Sequence, residues 1–366
     1  MAVVVRGHLK DYAWGVVDGL RDWAGGPTGG PQAELWFGAH PSGPAVLRDA
    51  PGELPDAVGE VPLLVKLLAA ASPLSIQLHP DAATAAAVLA AQQSGEAPAL
   101  LSDDAEKTEL LLAVQPFSVL AGWRDLTDAA ALLHRVGVGE AAATLRAGQR
   151  AGAIRHLLAL PAAQVAPAVA AIGDAAADLG WPAAAAEAMA AIASHYPQDP
   201  GVLVAATLQH ETLQPGDAVF VPAGTPHAYV HGMGVEVMAA SDNVLRLGLT
   251  PKTVAVEAAL GALRHDRAPV VARGTAAGAW LEPAGAPFAV ATAAGPVAVQ
   301  APAGSYRLVL AVHADAVVGV AGVTYLLRPG DALVVEAAEP LLSATSGGLA
   351  VVARSCPPVP TATVTP

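Results

Sequence analysis

Leu213 to Val230 reads LQPGDAVFVPAGTPHAYV. A strand-like run meets a Pro-Gly-Asp turn, where proline presets φ and glycine supplies the permissive backbone, and a second strand, AVFV, leaves it. Valine and phenylalanine favour the pleated state. The same unit recurs at Leu327 to Ala338 as LRPGDALVVEAA. Each unit predicts a β-hairpin; the two are either unrelated hairpins with a common turn sequence or, lying about one barrel apart in a chain of this length, the mark of two β-barrels.

Working outward, Met1 to about Pro80 reads as loop and irregular strand, with the turn-rich GGPTGGP at Gly25 to Pro31 and the short apolar runs ELWFGA, PAVL and PLLVKLL. Asp81 is placed to cap a helix through AATAAAVLAAQQ, about 81–94, that stops at Gly95. Between Asp125 and Tyr196, DAAALLHRV, EAAATLRAGQRAGAIRHLLAL and AAAAEAMAAIASHY carry apolar positions at helical spacing. From Gly201 onward valine-rich strand patterns return. The expected architecture is therefore mainly β: two barrels plus an α-helical domain. Its parts are a first barrel from 1–124 and 201–264, a helical insertion at 125–200, and a C-terminal barrel at 265–366.

Composition narrows the function. The 366-residue chain has 19 basic and 32 acidic side chains, a net charge of −13, which repels a nucleic-acid backbone. The hydrophobic fraction is 54%, but much of it is alanine, and Lys66, Pro116 and Pro167 interrupt the apolar stretches before the ~20 residues a membrane span needs. No membrane or nucleic-acid partner is expected. The first twelve residues show no apolar core with a cleavage site, so a cytoplasmic location is expected by default. Cys356 is the single cysteine, so a metal here must be held by nitrogen and oxygen ligands. Only four lysines occur, with one asparagine, Asn243; Lys66, Lys107, Lys252 and that asparagine fall inside the chemically loaded segments.

Four segments carry chemistry. In SIQLHP (Ser75 to Pro80), Gln77 and His79 lie two apart and share one face of a strand, as metal ligands or as polar decoration. In EKTELLL, Lys107 and Glu109 share a face in the same way; the carboxylate would supply the charge that a Gln-His pair lacks for a divalent ion, or the two form a surface pair. His227 and Tyr229 follow the Pro-Gly-Asp unit onto a common face, where barrel mouths collect ligands, although a histidine there also suits a core or turn. Finally GVEVMAASDNVLRLGLTPK (Gly234 to Lys252) sets Glu236, Asp242, Asn243, Arg246 and Lys252 in apolar sequence, which calls for a function or a buried ion pair.

Together with YAWG (Tyr12 to Gly15), AELWFGAHPSGPA (Ala33 to Ala45), LLVKLLAAASPLSIQLHP (Leu63 to Pro80), KTEL, PF and AGWR (Lys107 to Arg124), these segments resemble, in order, the type I phosphomannose isomerases of the cupin superfamily. The match covers roughly the first third of the chain and residues 210 to 255. The resemblance implies jelly-roll, cupin-like barrels and one zinc ion per chain held by Gln77, His79, Glu109 and His227. It implies a catalytic Arg246, with Lys107 or Asp242 handling protons, and a pocket for a small phosphorylated sugar lined by Ser75, Lys252, Tyr229, Glu236 and Trp14. The activity implied is the interconversion of mannose 6-phosphate and fructose 6-phosphate through an enediol or enediolate, by a monomer. The chain departs from the family where HKPE becomes EKTE, placing Glu106 and Thr108 at the histidine and proline positions, and where Ala13 precedes Trp14. The competing expectations are a non-enzymatic sugar-binding bicupin, against which the clustered Asp242, Arg246 and Lys252 argue, and a cupin oxygenase, which relies on more histidines.

Overall fold

The computed structural model describes residues 1–252 and 254–356. Two large antiparallel sheet systems, of eleven and nine strands, each fold over on themselves into a barrel, and a helical unit covers one side of the first. The architecture is mainly β with two jelly-roll barrels and a helical insertion.

Alternation along the strands explains how the barrels meet. Val65, Leu67, Leu110, Leu112, Val235 and Val237 of the first barrel join Leu308, Leu310, Val334 and Val351 of the second in one shared core. Side chains alternate across a strand, so the intervening residues Lys66, Glu109 and Glu236 turn into the first barrel. In the second barrel the intervening Val309, Leu333, Val335 and Val352 fill the interior with hydrocarbon. Strands buried on both faces read as continuous apolar runs, and a charge within such a run marks the inward face.

The long strand His227–Ala239 organises the first barrel. Its beginning pairs with Phe117–Trp123 and Ile76–Leu78, His227 lying opposite Gln77; its remainder pairs with Leu63–Ala70 and Glu109–Ala113. It changes walls at Gly232, where φ is +138° and a Cβ would come within 2.8 Å of the Phe117 Cα. Only glycine fits such a bend.

Three expectations need correction. The Pro-Gly-Asp units are not hairpins. Leu208–Leu213 pairs with Phe117–Trp123, whereas Ala218–Val221 pairs with Glu109–Ala113 and Val270–Ala272, so the turn carries the chain from one wall to the other. The turn at Leu327 does the same between Val323–Leu327 and Asp331–Val335. Both corners close identically: Asp217 accepts from Gln214 N at 2.9 Å and Asp331 from Arg328 N at 3.1 Å, while Gly216 N and Gly330 N donate to Ala113 O and Ala311 O. Second, Gly201–Ala205 is helical, not a strand; Asp199 accepts from Gly201 N at 2.7 Å, and all five residues are buried, an environment that overrides the β-preference of valine. Third, the barrels exchange chain. Ala2–Arg6 pairs in register with Asp331–Val335 of the second barrel and with Val46–Leu47, and Val270–Ala272 extends the first barrel beyond residue 264. A terminal strand goes where a sheet edge is open, which local sequence does not report.

The insertion consists of helices from Leu126–Arg135 through Ala183–His195, continuing to Gly201–Ala205. Its Leu133, Ile154, Ile172 and Ile192 pack on Ile76, Leu78, Leu120 and Val230, the outward faces of the strands that carry Gln77 and Tyr229. Among the described residues no single helix is long and apolar enough to cross a membrane.

Candidate metal centre and active site

The first barrel encloses a cavity of about 720 Å³. Gln77, Lys107, Glu109, His227, Tyr229, Glu236, Asp242, Arg246, Lys252, Ser75 and Trp14 all line it. His79 sits just behind the wall, 1% exposed. A smaller cleft of about 210 Å³ beside Phe220, Val270 and Trp280 is lined by apolar residues apart from Glu282.

At the cavity floor His79, Glu109 and His227 place one ligand atom each within 4.8 Å of one another, all three residues buried. Hydrogen bonding assigns the imidazole tautomers. His79 Nδ1 lies 2.7 Å from Asn243 O, and His227 Nδ1 lies 3.1 Å from Thr225 O. A carbonyl only accepts, so both Nδ1 atoms carry a proton and each ring turns its Nε2 inward. Those Nε2 atoms face Glu109, His79 at 3.1 Å from Oε1 and His227 at 3.1 Å from Oε2. The Nε2 lone pair of a neutral imidazole facing a carboxylate is repelled unless a cation lies between them. Burial pushes the His79 imidazole down to about 4, against the pull of Glu109, so a second proton is not the preferred answer. Among the described residues the buried His79 Nε2 has no hydrogen-bond donor or acceptor in bonding geometry. Two nitrogens and a carboxylate, with Gln77 opposite His227 on the neighbouring strand and lining the same cavity, are a donor set suited to a divalent ion without thiolate.

Glu109 stays ionised. Burial acts to raise its carboxyl, but the Lys107 ammonium, 2.9 Å away, and the hydrogen bond from His227 outweigh it and hold the group well below the usual carboxylate range.

The side wall is a second charged set that sequence reasoning named only in part. Lys66 Nζ bonds Glu236 Oε2 at 2.9 Å and lies 3.8 Å from Glu34, while Trp36 Nε1 donates to Glu34 at 2.7 Å. Burial acts against the Lys66 ammonium, yet Glu236, Glu34 and Glu109 together raise it; burial raises Glu34. Burial also raises the Tyr229 phenol well above its usual value, and its hydroxyl has no hydrogen-bond partner. Glu34, Trp36 and Lys66 were missed as site residues, although a lysine inside PLLVKLL was the available signal. His40, 2.7 Å from Asp242, was missed as well. So were His195 and Tyr196 of the insertion, which also line the cavity. Nothing in their local sequence relates them to the barrel.

On the cavity wall, Arg246 pairs in register with Gln77, and burial alone lowers its guanidinium. Four basic side chains (Lys66, Lys107, Arg246, Lys252) and four acidic ones (Glu34, Glu109, Glu236, Asp242) line the cavity, so it is locally balanced in a chain of net charge −13. A bound divalent cation would make it positive, which suits an anionic ligand.

Residues 3–126 match the family model described as phosphomannose isomerase type I, catalytic domain. The chain is 33% identical over 293 residues to mannose-6-phosphate isomerase of Salmonella typhimurium, covering 71% of this chain and 74% of that protein. It is 32% identical over 271 residues to mannose-6-phosphate isomerase of Homo sapiens, 62% of each chain. Its structure superposes on mannose 6-phosphate isomerase from Salmonella typhimurium bound to its substrate, fructose 6-phosphate, and a zinc atom, with a TM-score of 0.81, 26% identity, and coverage of 97% of this chain and 100% of that one. With its barrels, buried donor cluster and charged cavity, the chain belongs to the mannose-6-phosphate isomerase family, as a type I phosphomannose isomerase.

Proposed function

We propose that this chain interconverts mannose 6-phosphate and fructose 6-phosphate, with one zinc ion held by Gln77, His79, Glu109 and His227. The observation that carries the reading is the pair of buried Nε2 atoms converging on the Glu109 carboxylate beside a cavity large enough for a hexose phosphate. Two imidazoles, an amide and one carboxylate suit a redox-inert ion.

Moving a carbonyl from C1 to C2 requires removing the C2 proton while the carbonyl electron pair goes to O1, which gains a proton, then protonating C1 as the O2 hydroxyl gives up its proton and O2 becomes the new carbonyl. Zinc, when bound, supplies Lewis-acid stabilisation of charge on the sugar oxygens. The protein's own groups do the rest. Lys107 and Asp242, both on the cavity wall, are assigned to moving the proton. The Arg246 guanidinium is assigned to the negative charge that develops in the enediolate. Lys252 and Ser75 are assigned to the phosphate, and Glu236, Tyr229 and Trp14 to positioning the sugar. Lys66, bonded to Glu236, holds that carboxylate in place.

The deciding experiment is a coupled assay on mannose 6-phosphate. Activity is expected in the purified protein, lost on chelation and restored by zinc. No turnover in the zinc-loaded protein would remove the proposal.

A further inference from the structure

Asn243, the chain's single asparagine, lies fully buried behind the cavity wall and is not among the residues lining it. Its main-chain carbonyl accepts from His79 Nδ1 at 2.7 Å. Its side chain reaches the opposite way, to the loop before Lys107 and Glu109. Oδ1 accepts from Ser102 N at 3.1 Å and Asp103 N at 3.4 Å; Nδ2 lies 2.8 Å from Asp103 O, 2.8 Å from Asp103 Oδ1 and 3.1 Å from Ala105 O. Ser241 closes the network, accepting from Asn243 N and donating to the Asp103 carboxylate.

A carboxamide offers donors and acceptors at one end, and this loop presents both backbone N–H and C=O groups. Residues 102–108 have no regular secondary structure of their own, so these bonds set where the strand Glu109–Ala113 begins. One residue thus orients an imidazole through its main chain and registers the carboxylate and ammonium segment through its side chain.

Resting on the proposed zinc site, we infer that Asn243 is a positioning residue that fixes the distance between His79 and the Lys107–Glu109 segment, and so sets metal affinity and turnover without touching the substrate.

The test uses the full chain with Asn243→Ala, which keeps the carbonyl and removes the loop anchor, and Asn243→Asp, which keeps shape and acceptors but turns a second carboxylate toward Asp103. Folding is checked by circular dichroism and Tm. Zinc affinity is read by chelator competition, and the visible spectrum of the Co²⁺-loaded protein reports the ligand geometry. Loss of such an outer partner is expected to weaken zinc binding on the order of 10–100-fold. The Co²⁺ bands should shift, and kcat should stay depressed in excess zinc while KM changes by less than about 2-fold. A folded variant with wild-type zinc affinity and Co²⁺ spectrum overturns the inference. So does failure of both variants to fold, which would make Asn243 a general structural residue. A wild-type chain that binds zinc yet does not isomerise fails the proposed function alone.

Discussion

Arg246 and Lys252 stand six residues apart on a segment that lines the cavity, and their proposed roles separate kinetically. A group that binds phosphate equally in ground and transition states changes KM, whereas one that meets charge only as it develops changes kcat. Lys252→Ala should raise KM for mannose 6-phosphate about 10-fold or more with kcat little changed, a loss of about 1.5–3 kcal/mol for a charge-assisted contact. Arg246→Ala should lower kcat about 100-fold while the protein keeps its zinc, as removal of an oxyanion partner does elsewhere. Steady-state kinetics with metal analysis on the same samples checks both; an unchanged KM in the first variant or full turnover in the second withdraws that role. Residue identity was readable in the sequence because a lysine or arginine within apolar sequence demands a partner. Its partner was not: that Lys66 meets Glu236 across 170 positions is a product of strand pairing.

Among the elements, the helix Ala82–Gln93 was legible down to its cap. Asp81 accepts from Thr84 N at 2.9 Å, and Gly95 ends the helix with φ +80°. Less visible was the Asp81 contact with Arg264, at 2.7 Å, which ties this helix to the end of the first barrel. Burial opposes ionisation of Asp81, but the bonds from Arg264 and Thr84 prevail and bring its carboxyl down to about 2. The folded state therefore prefers ionised Asp81 more than the unfolded chain does. That stability is present above about pH 4, the unfolded carboxylate value, and is lost as pH falls through about 2. Asp81→Ala should cost about 1 kcal/mol at neutral pH, the usual worth of a cap, with the difference from wild type shrinking between pH 4 and 2. Urea denaturation across that range checks it, and a difference independent of pH would contradict the assignment. The Pro-Gly-Asp corners show the opposite case. Turn chemistry was readable, but whether a turn pairs its flanking strands or sends them to different walls depends on partners elsewhere in the chain.

At the scale of the whole molecule, the two barrels use one register for opposite ends. Glu109 pairs with Val221 and Met238 in the first; Arg307 holds the matching place in the second, paired with Val335 and Arg354. Where Glu109 faces two imidazoles, Arg307 is fully buried and donates to the carbonyls of Pro340, Glu336 and Glu339 at 2.7–2.9 Å. A guanidinium thus fills the position that a cation would take, and the barrel becomes a packed support for the first. Arg307→Ala strands three buried acceptors and should destabilise the protein by more than about 3 kcal/mol. Tm is expected to fall while zinc content and KM per folded molecule remain at wild-type values. A variant with unchanged Tm and lost zinc would contradict this division.

The sequence alone determined the fold class and named a small set of chemically loaded residues, because strand alternation, turn chemistry and scarce charges in apolar runs are local properties. Gln77, His79, Lys107 and Glu109 could be picked out by spacing two residues at a time. Only the tertiary structure decided that they share a cavity with a helical insertion supplying His195 and Tyr196, that the first strand belongs to the second barrel, and that one buried asparagine spans from His79 to the loop before Glu109. Each of these depends on which distant strands find one another, and that is settled by burial of both sheet faces over the whole chain, not by any short stretch of it.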